Sequence, residues 1–332
     1  MESAILTAKG ESAAQRETSS ETPIDLSVVI PISERHDDLR ELYRQYEREL
    51  SATGQSYEVI FVLDRPDREA LLALKALKKE YPAITVITLS RWFGEATALS
   101  VGFEKARGTA ILTLTSYFQV EPHEIHGLIQ KMVGDDQDLV IGWRHPRIDA
   151  FFNRVQSKVF HWLVQILTGT IYHDVSCGFR VMKRGVAQEV QLYGDLHRFF
   201  PLLAHQRGFK IAEVPVQQSP HDATRRMHGP GVYLRRLLDV LTLFFLYKFT
   251  KKPLRFFGLV GSGIIAAGAL VTGYLALDRL LGVPLAGRPL LVLGVLLMVF
   301  GVQLFSVGLL GEIIIFTHAR GVKEYQTRDI LE

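Results

Sequence analysis

The fold class is decided by the stretch from Leu26 to Asp64, which reads LSVVIPISERHDDLRELYRQYERELSATGQSYEVIFVLD. It opens with the apolar run Leu26–Ile32, continues through an amphipathic segment to about Leu50, and closes with the apolar run Tyr57–Asp64. Short apolar strands around an amphipathic helix are typical of a parallel sheet covered by helices on both faces. The stretch therefore predicts a strand–helix–strand unit of an α/β domain.

The same alternation continues along the chain. Three more strand-like segments follow at Ile84–Ser90, Ala110–Ser116 and Asp138–Trp143, with helix-forming ALLALKALKKE before the first of them and a helix expected over about residues 94–107. We predict a mostly parallel sheet, whose ligands bind beyond the carboxyl ends of the strands. The residues just past each strand are Ser33–Glu34, Asp64, Arg91, Thr115–Gln119 and Arg144.

Two long apolar segments lie close to the C-terminus. Phe256–Leu277 and Pro289–Gly311 contain no Asp, Glu, Lys or Arg. Each is as long as the roughly 20 residues needed to cross a bilayer. A pair of buried core helices is the alternative, but soluble helices seldom run so far without a polar face. We predict a transmembrane hairpin over residues 256–314.

Charges flanking the hairpin predict its orientation. The basic residues outside it are Lys248, Lys251, Lys252 and Arg255 before the first span and Arg320, Lys323 and Arg328 after the second. The connecting loop of about 11 residues holds only Arg279 and Arg288. Positive charge favours the cytoplasmic side. We expect a multi-pass protein of the inner (cytoplasmic) membrane, with the soluble domain and both termini in the cytoplasm.

The remaining segments complete the predicted organisation. Residues 1–24 are polar, do not resemble a secretion signal and are interpreted as a disordered tail, and residues 315–332 as a cytoplasmic tail. The α/β domain covers residues 25–230, and residues 231–255 form an amphipathic helix. This helix either lies at the membrane interface or packs on the soluble domain. The net charge of the chain is +3. The basic residues that precede the hairpin favour a lipid bilayer as partner, and we expect no nucleic-acid partner.

Three motifs carry a resemblance to a known family. They are LSRWFG at Leu89–Gly94, CGFR at Cys177–Arg180 and GFKIAEVPV at Gly208–Val216. Together with the strand order, they make the chain similar to glycosyltransferase family 2 over about residues 25–330. It resembles most the polyprenyl-phosphate branch, with dolichol-phosphate mannose synthases and bactoprenol glucosyltransferases. The resemblance implies a GT-A-like fold that transfers a sugar from a nucleotide-sugar donor to undecaprenyl or dolichyl phosphate.

The chain departs from this family at its metal motif. The family holds a divalent cation with a D-x-D motif after the fourth strand, whereas this chain has Thr115 and Tyr117 in place of the two aspartates and retains only Gln119. A neutral hydroxyl and a phenol are poor ligands for Mg²⁺ or Mn²⁺. We therefore expect either an atypical Mg²⁺ or Mn²⁺ site or a metal-independent protein.

The resemblance also implies a donor site. Its residues are Glu34, Asp64, Arg91, Thr115, Tyr117, Gln119, Arg225 and Arg226. Asp64 either accepts a hydrogen bond from the donor or serves as a cap in its turn. The two arginines at 225 and 226 either close over the donor or touch anionic lipid. Without the aspartates, the diphosphate would be neutralised by Arg91 with one of these arginines, or by a metal on Glu121, His123 or Asp64.

For the acceptor phosphate, the resemblance points to Arg144, Arg154 and Arg180. Guanidinium groups suit phosphate because their paired donors remain charged. The alternative for each is an ordinary salt-bridged arginine. Asp174 either orients Arg180 or caps the next element, and His197 in LHRFF lies either near the acceptor or on an ordinary helix face.

Three functional hypotheses follow. The first is an active inverting glycosyltransferase that makes a polyprenyl-phosphate sugar. The second is a degenerate relative that binds a lipid-linked glycan or a membrane partner without transferring sugar, and the third is a membrane scaffold that retains only the fold. Gly258, Gly261 and the small residues around them indicate close helix packing, either within the hairpin or between subunits of a homo-oligomer.

Overall fold

The computed structural model describes residues 24–33, 35–65, 67–146, 172–192, 194, 196–223, 253–282 and 289–318. The strands are β1 (Leu26–Ile32), β2 (Tyr57–Leu63), β3 (Ile84–Thr88), β4 (Ala110–Thr113), β5 (Leu139–Arg144), β6 (Arg180–Lys183) and β7 (Ile211–Val216). The helices of the sheet domain are α1 (Leu39–Ala52), α2 (Arg68–Glu80), α3 (Glu95–Lys105), α4 (Ile125–Gly134), α5 (Arg184–Glu189), α6 (Phe200–Gln206) and α7 (Pro220–Ala223). Two long helices follow, α8 (Pro253–Leu280) and α9 (Pro289–His318).

The described strands form one seven-stranded sheet with the order β3-β2-β1-β4-β6-β5-β7. Only β6 runs antiparallel to its neighbours, so the predicted mostly parallel sheet is confirmed. All five strands predicted from the apolar runs are present with small shifts at their ends. The apolar runs of the sequence do not predict β6 and β7. β6 has four residues, and β7 contains Pro215 and is largely half-buried, so neither shows a strong strand pattern.

Alternating side chains of the central strand β1 build a core on each face of the sheet. Val28 and Ile30 pack in the cluster that includes Leu42 of α1, while Val29 packs in the cluster that includes Leu99 of α3. This is the alternation expected of a strand with period two. Complete burial of each such side chain contributes about 1.5–3 kcal/mol. The two cores fix β1 and β4 in place and so position the segments that follow them.

The two C-terminal helices pack closely against each other. A Cβ atom at Gly261 would lie 2.7 Å from the carbonyl oxygen of Gly301, and one at Gly268 would lie 2.7 Å from that of Gly294. Close packing within the hairpin therefore accounts for Gly261. Both helices are long and apolar enough to span a membrane, and only 17% and 11% of their most apolar windows are buried. This low burial is not that of core helices.

Several predicted segments fall outside the described residues. These include the N-terminal tail and most of the predicted amphipathic helix, whose last three residues, 253–255, begin α8. As described, α8 begins at Pro253, three residues before the apolar run Phe256–Leu277. The predicted C-terminal tail lies outside the described residues beyond His318.

Candidate functional site

The order in which successive strands are added to the sheet reverses between β1 and β4, which makes this place the topological switch point of the sheet. β2 and β3 lie on one side of β1, and β4 lies on the other. Ligands of open α/β sheets bind at such a switch point, beyond the carboxyl ends of the strands. The segments after β1 and β4 are joined there, since the Asp37 amide donates to the Ser116 carbonyl at 2.9 Å and the Ser116 hydroxyl donates to the Arg35 carbonyl at 2.7 Å. These two segments form the centre of the candidate site.

Asp64 holds the loop that follows β3. Its buried carboxylate accepts hydrogen bonds from the Phe93 amide and the Gly94 amide, each at 2.8 Å. These amides immediately precede α3, where the helix dipole also favours a negative charge. Asp64 therefore anchors the loop after β3, a role that neither predicted alternative described, and its contact with a donor remains a prediction. Gly94 has a φ of +97°, a conformation that favours glycine.

The LSRWFG loop presents its side chains outward. The guanidinium carbon of Arg91 lies 4.9 Å from the centre of the Phe93 ring, and Trp92 is 57% exposed. Arg91 is exposed at the carboxyl edge of the sheet, and its contact with a donor remains a prediction.

The segment Thr115–Gln119 is tied together by its own hydrogen bonds and by the CGFR motif. The Thr115 hydroxyl donates to the Tyr117 carbonyl at 2.7 Å. The Gln119 side-chain amide donates to the Tyr117 phenol at 3.2 Å, while its oxygen accepts from the Gly178 amide at 2.7 Å. Gly178 allows the Thr115 side chain to approach closely, because an added Cβ atom would collide with the Thr115 methyl group. Gln119 thus connects the segment after β4 to the CGFR motif.

Arg35 lies over Tyr117, a contact that the sequence analysis did not identify. The guanidinium carbon is 3.9 Å from the centre of the phenol ring, which is cation–π geometry. One terminal nitrogen of Arg35 is 3.6 Å from a carboxylate oxygen of Asp222, a buried residue of α7. In the sequence, only two features pointed to this contact: an arginine after β1, and a tyrosine at a position where the family has an aspartate. Asp222 gave no signal, because it is distant along the chain.

Arg144 is a buried, paired arginine. Its guanidinium donates to both carboxylate oxygens of Asp174, at 2.6 and 3.0 Å, and to the Ser176 hydroxyl at 2.9 Å. It also lies 3.5 Å from Asp222. Burial acts to lower the pKa of Arg144, but the charge and hydrogen bonds of Asp174 outweigh burial, and the pKa lies above its usual value. Asp174 therefore binds Arg144, and the predicted alternatives for Asp174 did not include this pair.

Arg180 is also buried, but its partners are neutral. It donates to the backbone carbonyls of Cys177, His197 and Val175 at 2.7, 2.9 and 3.2 Å. Burial lowers the pKa of Arg180 below its usual value, although arginine remains charged at neutral pH. Arg180 thus holds the CGFR segment against the turn that contains His197. Contact of Arg144 or Arg180 with an acceptor phosphate remains a prediction.

His197 and Cys177 lie behind this edge. His197 is buried, with its Nε2 atom 3.4 Å from the Glu95 carboxylate at the start of α3. Cys177 is completely buried, and burial raises the pKa of its thiol to about 11. Cys177 is therefore a small residue packed in the core of the sheet domain. Four predicted site residues, Glu34, Arg154, Arg225 and Arg226, lie outside the described residues.

The residues present do not fit a divalent cation. Such cations prefer charged oxygen ligands, and the Thr115 and Tyr117 side-chain oxygens are neutral and engaged as described above. Asp37 contacts the segment Thr115–Gln119, but its carboxylate accepts a hydrogen bond from the Phe118 amide at 3.0 Å. Both carboxylate oxygens of Asp64 accept hydrogen bonds from backbone amides. His123 lies 3.6 Å from Glu124. Within the described ranges, no group of three or more His, Cys, Asp or Glu is placed to hold a metal.

A mostly parallel sheet with a binding edge at this switch point is the architecture of a GT-A-type glycosyltransferase. Two solved structures share the fold with a TM-score of 0.50. One is a mycobacterial protein, 18% identical, covering 67% of this chain and 76% of its own. The other is glucosyl-3-phosphoglycerate synthase from Mycobacterium tuberculosis with Mn²⁺, uridine diphosphate and phosphoglyceric acid, 15% identical, covering 68% of this chain and 80% of its own. At these identities, the likeness concerns the fold alone.

Sequence comparison defines the family. The profile of glycosyl transferase family 2 matches residues 27–191. An undecaprenyl-phosphate 4-deoxy-4-formamido-L-arabinose transferase from Pseudomonas paraeruginosa is 34% identical over 299 residues, which is 87% of this chain and 85% of the relative. A dodecaprenyl-phosphate galacturonate synthase from Rhizobium johnstonii is 29% identical over 302 residues, or 90% of this chain and 89% of the relative. The chain belongs to glycosyl transferase family 2, and these relatives support its place in the polyprenyl-phosphate branch.

Proposed function

We propose that this protein transfers a sugar from a nucleotide-sugar donor to polyprenyl phosphate on the cytoplasmic face of a membrane. One observation carries the proposal: relatives named for polyprenyl-phosphate sugar transfer match 87–90% of the chain. The unmatched 10–13% of the chain is too short to contain the whole hairpin, so the similarity extends beyond the sheet domain into at least part of the hairpin. A hairpin in the bilayer would hold the sheet domain where the phosphate of a membrane lipid is presented.

The proposed reaction is a single displacement. An oxygen of the polyprenyl phosphate attacks the anomeric carbon, and the bond from that carbon to the nucleoside diphosphate breaks with inversion. The leaving diphosphate takes the electron pair. A phosphate monoester is largely ionised at neutral pH, since its second pKa is about 6. The reaction therefore needs no strong protein base, and the protein supplies positioning and charge.

The described edge suggests how the residues divide this work. The Asp64-held LSRWFG loop, with Arg91, would border the donor, and Arg225 and Arg226 would approach it from the segment after α7. The donors of Arg144 and Arg180 are engaged within the protein. They would shape the acceptor side while Arg154 contacts the phosphate directly.

The test is a transfer assay with the purified full-length protein in detergent. It would be given undecaprenyl phosphate and radiolabelled nucleotide sugars one at a time, with EDTA, Mg²⁺ or Mn²⁺. We expect one donor to give a labelled lipid extractable into organic solvent. The loss of both family aspartates favours a second candidate, a binding protein without transferase activity. Absence of labelled lipid with every donor and ion would support that candidate and refute transfer.

Orientation is tested separately. Fusions after residue 332 and in the loop at residues 283–288 would carry green fluorescent protein or alkaline phosphatase. We expect fluorescence and no phosphatase activity from the C-terminal fusion, and the reverse from the loop. Phosphatase activity from the C-terminal fusion would place the C-terminus outside and contradict the proposed topology.

A further inference from the structure

Arg35 lies beside the switch point of the sheet, where ligands of open α/β sheets bind. It follows β1, Tyr117 follows β4, and the switch point of the sheet lies between these two strands. A ligand bound at a switch point contacts the segments after both flanking strands. The 3.9 Å contact between the Arg35 guanidinium and the Tyr117 ring fixes a positive charge at this point. The side chain is 26% exposed, so part of it faces solvent.

The hydrogen-bonding capacity of Arg35 is incompletely used. Its Nε and Nη2 atoms are buried and have no hydrogen-bond partner among the described residues. The contact to Asp222, at 3.6 Å, is longer than a hydrogen bond. Asp222 also lies 3.5 Å from Arg144, so two guanidinium groups share one carboxylate. Buried guanidinium donors without a hydrogen-bond partner cost free energy. They therefore favour binding of an anionic acceptor, which a small movement of the Arg35 side chain would bring within reach.

The contact between Arg35 and Tyr117 also disfavours a metal ion beside Tyr117. A cation beside Tyr117 would lie near the charge of Arg35, and the aspartates that would balance both charges are replaced by Thr115 and Tyr117. Tyrosine and arginine therefore occupy the space as a pair. The phenol provides the ring on which the guanidinium rests, and the guanidinium provides a fixed positive charge.

We propose that Arg35, resting on Tyr117, performs the task of the divalent cation: it binds the diphosphate of the nucleotide-sugar donor and balances the charge that develops when the anomeric bond breaks. This inference rests on the proposed function. The electron pair of the broken bond goes to the diphosphate oxygen that leaves, no proton is transferred to Arg35, and no metal takes part. Donor binding is consequently independent of divalent cations.

The test measures binding rather than turnover. Uridine diphosphate and guanosine diphosphate are titrated separately into the full-length protein in detergent by calorimetry, in EDTA and in Mn²⁺. We expect the diphosphate that binds to do so with the same Kd within about threefold in both buffers. Arg35→Gln should weaken its binding in EDTA by about 10- to 100-fold, as expected for losing charge-assisted hydrogen bonds. Arg40→Gln, an exposed arginine on α1, is the matched control and should bind normally.

A second variant, designed to gain metal binding, distinguishes loss of the Arg35 contact from misfolding of Arg35→Gln. The triple variant Arg35→Gln, Thr115→Asp, Tyr117→Asp should bind Mn²⁺, seen as loss of the free Mn²⁺ signal in electron paramagnetic resonance, while the wild type should not. Unchanged affinity of Arg35→Gln, or wild-type binding only with Mn²⁺, would overturn the inference alone. Metal-free binding without sugar transfer would overturn the proposed function alone, and no diphosphate binding in either buffer would overturn both.

Discussion

At the scale of single residues, the edge of the sheet after β1 and β4 is held together by hydrogen bonds and by the contact between Arg35 and Tyr117. Asp64 remains and fixes the LSRWFG loop through two amides. Thr115 and Tyr117 stand where the family has its two aspartates. The Thr115 hydroxyl donates to the Tyr117 carbonyl, and the Tyr117 ring contacts the Arg35 guanidinium. The sequence predicted that Asp64, Thr115 and Tyr117 lie at this edge, but it did not indicate Arg35 or Asp222. Their partners depend on distances of a few ångströms, which a sequence motif does not contain.

Asp64→Asn tests the loop anchor. An asparagine offers one acceptor oxygen and places a donor against the second amide, so we expect a loss of about 1.5–3 kcal/mol in stability. Thermal unfolding of the full-length protein in detergent, followed by tryptophan fluorescence, measures this change. Asp135→Asn, at an exposed ion pair with Lys131, is the control and should stay within about 0.5 kcal/mol of wild type. Equal effects of the two substitutions would contradict the assigned role.

Gly178→Ala tests the contact between the CGFR motif and the segment after β4. The new methyl group would collide with the buried Thr115 side chain, and we expect a loss of about 1–3 kcal/mol. Gly185→Ala, in α5, meets no atom within 4 Å and should be neutral or slightly stabilising. Unfolding midpoints in detergent compare the two. An unperturbed midpoint for Gly178→Ala would show that the close approach is absent.

At the scale of secondary-structure elements, long periodic segments were predictable and short ones were not. The five apolar strands and the helices α1, α2 and α3 follow from period and composition, whereas α4, between β4 and β5, was not predicted. β6 is too short to show a period, and its antiparallel place between β4 and β5 depends on long-range pairing. β7 pairs in parallel with β5, which supports a strand that its proline and half-exposed residues would otherwise weaken.

The hairpin gives a prediction at this scale. Gly261→Leu would force a side chain against the backbone of Gly301 and Phe305, so we expect separation of the two helices and an unfolding midpoint lowered by several degrees. Gly263→Leu, two residues along α8, has no atom within 4 Å of its added Cβ and should leave the midpoint nearly unchanged. If both variants behaved alike, the close packing of α8 on α9 would be incorrect.

At the scale of the whole molecule, the sequence predicted a mostly parallel sheet followed by two long apolar helices, and both are present. The ion-pair chain through Asp174, Arg144, Asp222 and Arg35 could not be predicted. It joins the segments after β1, β5 and β7 with the segment before β6, which come together only when the sheet has formed. Family resemblance suggested phosphate ligands for the arginines and gave no indication of these acidic partners.

Cys177 reports on the integrity of the folded domain, because it is the single cysteine of the chain and is buried. Its thiol pKa of about 11, against an ordinary 9.0, leaves about 100-fold less thiolate at pH 8. We expect negligible labelling by a maleimide in the native protein at pH 8 and one label per chain after denaturation in dodecyl sulfate. Rapid native labelling would show that the thiol is accessible.

The measurement that tests the account most directly follows both products of one reaction in EDTA. The full-length protein in vesicles, with its accepted nucleotide sugar, is assayed for released nucleoside diphosphate and, by mass spectrometry, for glycosylated undecaprenyl phosphate. We predict equal amounts of the two products, neither formed without the lipid. Diphosphate released without glycosylated lipid, or no product until Mn²⁺ is added, would contradict an arginine-based polyprenyl-phosphate glycosyltransferase.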